Sequence, residues 1–161
     1  MKRERRRARI LALQALYEVD SVGHSPQEVV ARQVEENATL TAEAAAFLQA
    51  LVLGSLALAP EIDRLVASCA PEWPVEELAV IDRNILRMAT WEFAVSGTTP
   101  LKVAINEAVE LAKLFGSESA SRFVNGVLGS LADHQNEISQ QLRNAQMELT
   151  AKAAATSTEA G

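Results

Sequence analysis

The chain has 161 residues, 48% of them hydrophobic, 22% charged and only 4% aromatic, which suits one domain or two small helical subdomains sharing a core. Seven Gly and five Pro are too few for an all-β chain cut by frequent turns, and a single Cys rules out an intramolecular disulfide or a cysteine metal cluster. The formal charge of −6 is unevenly spread: six basic residues against Glu4 give residues 1–10 a charge of +5, and the other nine basic and twenty acidic residues carry −11, an asymmetry that points to a polyanionic partner met at one end.

The first predicted helix spans about residues 3–21, with Ile10, Leu13 and Tyr17 as an apolar stripe and Gly23 beyond its end. Its basic residues crowd the first two turns, where the helix dipole prefers acids. Ser25-Pro26-Gln27-Glu28 reads as a capping box that opens a second helix to about Asn37. Thr41 can cap a third, which carries Phe47, Leu48, Leu51, Val52 and Leu58 until Pro60 interrupts it; a fourth covers about 61–69. Pro71-Glu72-Trp73-Pro74 is a stiff turn and the expected subdomain break.

A strongly apolar helix from Glu77 to about Ser96 is the expected centre of the fold, with Gly97 as its stop. After Pro100, Ala104, Ala108, Leu111 and Ala112 share one face of a sixth helix, which Gly116 closes. Ser117 is placed to cap a seventh, with Phe123, Val124, Val127, Leu128 and Leu131 turned inward. Asn125-Gly126 reads through as helix because apolar phase holds on both sides, and Gly126 and Gly129 are expected to permit close helix–helix approach. The fold class is therefore all-α, a compact bundle of about seven helices in two packed subdomains. The expected domain is 1–135, and 136–161 is an extension whose last dozen residues are expected to be disordered. No apolar h-region follows the basic N-terminus and no run of about 18 uncharged apolar residues occurs, so neither signal peptide nor membrane span is expected, and a cytoplasmic location fits.

No catalytic constellation emerges. His24 and His134 have no metal-ligand spacing, no Gly-rich phosphate loop or nucleophile elbow appears, and Cys69 has no base beside it. Glu107 and Glu110 read as part of a solvated helix face with Lys102 and Lys113. A binding protein without cofactor or metal follows, and the basic arm is its candidate site. Arg suits RNA because its planar fork takes phosphate bidentately and stacks on bases. A second basic helix for a helix-turn-helix is lacking, which disfavours duplex DNA. Tyr17, Trp91 and Phe123 are the aromatics to weigh for base stacking, and periodicity alone places each in the core.

Arg5-Arg6-Arg7-Ala8-Arg9 followed by Ala12-Leu13-Gln14-Ala15-Leu16-Tyr17 resembles the opening of the NusB family. So do Ile85-Leu86-Arg87-Met88-Ala89 with Glu92, the run Lys102-Val103-Ala104-Ile105-Asn106-Glu107-Ala108-Val109-Glu110-Leu111-Ala112-Lys113, and Phe123-Val124-Asn125-Gly126-Val127-Leu128, in family order over about residues 3–131. The resemblance implies two packed helical halves and binding of the boxA element of ribosomal RNA leader transcripts. It implies pairing with NusE, a small-subunit ribosomal protein, and work on elongating RNA polymerase with other Nus factors. It puts Arg3, Arg5, Arg6, Arg7, Arg9 and Phe123 at RNA, and Tyr17 and Asp82 toward NusE. Family members occur as monomers and as homodimers, so a homodimer is possible. Ile10, Trp91 and Ser119 depart from the family's usual residues. An alternative is an accessory RNA-binding module of a ribosomal RNA methyltransferase system, since a NusB-like domain also precedes some of those enzymes; this chain is too short to include the methyltransferase domain.

Overall fold

A computed structural model describes residues 2–70 and 78–160. Eight α-helices follow one another among the described residues: α1 (Lys2–Val22), α2 (Pro26–Glu36), α3 (Ala42–Ala57), α4 (Ala59–Cys69), α5 (Val80–Trp91), α6 (Leu101–Phe115), α7 (Ala120–Ala132) and α8 (Gln135–Ala160). A single π-helical turn, Glu92–Ser96, extends α5. The all-α expectation holds, with one helix more than foreseen. The turn at 71–74 and the expected helix start at Glu77 lie outside the described residues.

α1 is enclosed by α2, α3 and α5. Its buried face is broader than the predicted stripe: Ala8, Ala12, Ala15 and Leu16 are fully buried beside Leu13, whereas Tyr17 is 47% exposed. Alanine explains the difference. A small side chain lets a neighbouring helix approach the backbone closely, and a search for large apolar residues passes over it.

The boundaries follow local chemistry. Thr41 Oγ1 accepts from the Ala44 amide at 3.1 Å and caps α3. Ser25 stands where α2 begins, with Pro26 at its first position, but the capping box does not form: the Ser25 hydroxyl donates to Gln27 Oε1 at 3.2 Å instead. α3 and α4 meet at a bend of 72°, with Pro60 just past the corner and Leu58 buried in it. Gly97 ends the π turn at φ +68°, a left-handed conformation that glycine adopts without penalty. No single helix among the described residues is long and apolar enough to cross a membrane.

Two expectations are corrected. Gly126 and Gly129 lie inside α7, but they are exposed, and a Cβ at either would meet nothing within 4 Å. The close approach is elsewhere, at Gly54 on α3, where a Cβ would overlap the buried Trp91 ring. The segment from Thr150, expected to be disordered, continues α8 as far as Ala160. Five alanines between 150 and 160 favour helix, and the hydroxyls of Thr150, Thr156 and Thr158 donate to carbonyls one turn back at 2.9–3.0 Å.

Gly54→Ala is expected to destabilise the protein by about 1–3 kcal/mol through overpacking against Trp91. Urea denaturation measures this. A variant as stable as the parent would show that the indole can retreat.

Candidate nucleic-acid interface

The arm is the first two turns of α1, and its arginines divide by what holds them. Arg9 is buried, 4% exposed. Its Nε donates to both oxygens of Glu92, at 3.0 and 3.1 Å, and Nη2 makes a further short contact to Oε1. Thr99 Oγ1 donates to the same Glu92 oxygen at 2.9 Å, and the Phe47 ring lies 5.2 Å under the Arg9 guanidinium. A buried carboxylate is tolerable only with such complete pairing. Glu92 opens the π turn at the end of α5 and meets α1 there through Arg9. Arg9 therefore anchors the arm and does not present a free cation, which corrects its expected place among RNA contacts.

Arg6 donates through Nε and Nη2 to Glu107 at 3.0 and 2.9 Å, and Glu107 Oε2 also lies 3.9 Å from Arg9 Nη1. Glu107 is buried, which corrects its reading as a solvated residue. The Arg6 hydrogen bonds hold its carboxyl below the ordinary carboxylate range against the opposing effect of burial, and the charges of Arg9, Arg6 and Lys2 help. Glu110 and Lys113 do form the expected exposed pair, at 3.4 Å. Arg5 leans over Phe47 at 4.8 Å and reaches Thr99 Oγ1 at 3.5 Å. Arg7 donates to Thr39 Oγ1 at 2.8 Å and Asn37 Oδ1 at 3.3 Å, between α2 and α3. Arg3 and Lys2 are exposed. Arg3, Arg5, Arg6 and Arg7 thus form a collar around a fixed axis.

Asp82 and Phe123, expected to serve different partners, line one cleft of about 430 Å³ together with Leu78, Ser119 and Arg122. Asp82 does not pair with the adjacent Arg83. Its Oδ1 is buried and has no hydrogen-bond partner among the described residues, and burial pushes the carboxyl up. Phe123 packs partly buried against the core. Tyr17 is on α1, one turn before Asp20, which accepts from Arg83 at 2.8 Å and from Asn84 at 3.0 Å. Burial raises the Asp20 carboxyl, but the hydrogen bonds from Arg83 and Asn84 and the charges of Arg83 and Arg87 bring it below its ordinary value. Asp63 holds Arg87 at 2.7 Å, so one polar network ties α1, α4 and α5.

Glu92, Glu107 and Asp20 are structural partners that sequence reasoning missed. A signal existed for Glu107: it falls in phase with Ala104, Ala108 and Leu111, and an acid on an apolar stripe requires a buried cation. Glu92 is likewise the only charge between Met88 and Val95.

The sequence profile of the NusB family matches residues 6–133. The transcription antitermination protein NusB of Roseiflexus sp. (strain RS-1) is 48% identical over 135 residues, covering 83% of this chain and 94% of its own. That of Dehalococcoides mccartyi (strain CBDB1) is 45% identical over 141 residues, covering 85% and 98%. Among solved structures, T. maritima NusB superposes with a TM-score of 0.74 at 31% identity, over 80% of this chain and 90% of that one. A chain from the complex of antitermination factors NusB and NusE with dsRNA gives 0.75 at 28% identity, over 83% and 99%.

Arg9→Met leaves Glu92 buried without its cation and is expected to cost about 3–5 kcal/mol in urea denaturation; adding Glu92→Gln should recover most of the loss. Asp20 and Glu107 both have lowered folded-state values, so their contribution is present above the ordinary carboxylate range. It is lost as pH falls below roughly 4. Thermal melts at stepped pH should show that loss, and Asp20→Asn should flatten it.

Proposed function

The chain belongs to the NusB family, and on that footing we propose that it is a transcription antitermination factor that binds boxA RNA of ribosomal RNA leader transcripts together with NusE. It acts in the cytoplasm on elongating RNA polymerase with other Nus factors, by binding and without chemistry of its own. Residues 1–135 are the functional unit. The observation that carries this reading is the arm itself: a +5 segment on an acidic body, helical from Lys2 and docked on α5 by the buried Arg9–Glu92 pair, with Arg3, Arg5, Arg6 and Arg7 around its rim.

Preorganisation matters because a flexible arginine tail loses conformational freedom on binding, and this arm has lost it on folding. Phosphate contacts supply affinity that salt weakens, and base selection needs other groups. Phe123 at the cleft is the stacking residue of this reading. Tyr17 and Asp82 form the NusE surface: Tyr17 offers an exposed ring and hydroxyl, and Asp82 a carboxylate for a basic ribosomal protein. The solved relative bound to NusE and dsRNA supports both partners. A homodimer that covers the arm until NusE arrives completes the reading.

Fluorescence anisotropy of labelled boxA RNA and a scrambled control, with and without NusE at two salt concentrations, tests it. BoxA should bind more tightly than the control, and more tightly still with NusE. Arg5→Ala with Arg7→Ala should flatten the salt dependence by about 0.7 for each phosphate no longer neutralised. Asp82→Asn should reduce the gain from NusE and leave NusE-free binding unchanged. Equal binding of both RNAs, indifferent to NusE, overturns the reading. Light scattering that finds a monomer at every concentration removes the homodimer.

A further inference from the structure

Beside the arm runs a groove of about 410 Å³ between the first turns of α1 and the outer face of α6, lined by Lys2, Arg6, Asn106, Glu107, Glu110 and Lys113 among others. We propose that this groove is a phosphodiester-binding subsite for RNA, in which the Glu107 carboxylate occupies the Arg6 fork until an RNA phosphate replaces it. The proposal rests on the reading that the arm binds RNA, and it adds a path and an exchange to that reading.

Carboxylate and phosphate engage the guanidinium fork in the same two-point geometry. Arg6 and Glu107 show that geometry, at 3.0 and 2.9 Å. The exchange is free for Arg6 and costs Glu107 its two hydrogen bonds. The Arg6 side chain is 52% exposed, so its head can turn into the groove without crossing the core. Glu107 gives up both of its hydrogen bonds and keeps Arg9 Nη1 at 3.9 Å, a cation already paired with Glu92, so the incoming phosphate has to offset that loss.

The walls suit the same ligand. Lys2 and Lys113 flank Arg6, and exposed Asn106 offers an amide donor and acceptor. Among the described residues Lys113 is held by Glu110 alone, at 3.4 Å with both side chains about half exposed, an arrangement that contributes little in water. Three cations thus face two carboxylates that are already paired. A phosphodiester carries one charge and two free oxygens, enough to take the Arg6 fork and leave Lys113 for the next phosphate along the strand. Arg5 and Arg7 lie toward α3 and the α2–α3 turn, so Arg6 is the arm's contribution to the α6 side.

The test titrates a single-stranded boxA oligonucleotide across a salt series with exposed-site variants that spare the core. Lys113→Ala should lower the slope of log affinity against log salt by about 0.7. Glu110→Gln should tighten binding roughly threefold, the scale of one exposed ion pair, and Glu148→Gln on α8 is the charge-matched control. In ¹⁵N-labelled protein, the Arg6 Nε–H resonance, identified by its loss in Arg6→Lys, should move on adding RNA while that of Arg9 stays. Lys113→Ala and Glu110→Gln behaving like the control, or an unmoved Arg6 resonance at saturation, overturns the subsite. Should Arg5→Ala with Arg7→Ala still weaken binding then, the arm reading survives; should it not, that reading fails first. Displacement of RNA by inorganic phosphate beyond that by chloride at equal ionic strength would assign the groove to the free anion and overturn the RNA assignment.

Discussion

The Arg9–Glu92 ion pair is the constraint on which the rest of this structure depends. It is buried, and it joins the first helix to the turn that ends the fifth. Glu92 is the first residue of the π turn that extends α5, a helix irregularity frequent at functional positions. Thr99 and Phe47 complete its surroundings. Such a pair adds little net stability compared with an apolar substitute, because desolvation offsets attraction. Its effect is on placement: α1 can take one rotation and one height against α5. Every other arginine of the arm inherits its direction from that setting.

The arm illustrates how uniform composition can hide unlike roles. Arginines within seven positions divide into an anchor, a tethered cation and several rim cations, and the partner that holds each one separates them. Neutralising the whole cluster would therefore mix a folding defect with a binding defect.

Much of the fold was legible in the sequence. The helices followed from apolar phase, and Thr41, Pro26, Pro60 and Gly97 marked ends where the structure has them, because those signals act within one turn of chain. The failures were tertiary. The face of α1 that Ala8, Ala12 and Ala15 bury is set by how closely neighbours approach, which no single residue announces. Gly54 matters because Trp91 arrives from a different helix, while Gly126 and Gly129, more conspicuous in sequence, face solvent. In the candidate site, the basic cluster was plain from charge density. Its internal partners were not, since Glu92 and Glu107 lie more than eighty residues away. The Asp82–Phe123 cleft likewise joins α5 to α7 across sequence that offers no sign of the meeting.

The distal half of α8 has a different thermodynamic character from everything before it. Ile138 and Leu142 fix its start to the body, but residues 146–158 are exposed all round. Their helix rests on alanine content and on hydroxyls bonded one turn back, with nothing among the described residues packed against it. Such a segment obeys helix–coil statistics and loses order gradually with heat, whereas the core melts in one cooperative step. Far-ultraviolet dichroism would therefore decline before the environment of buried Trp91 changes. The two signals would not superimpose, although the globular part unfolds as a single unit.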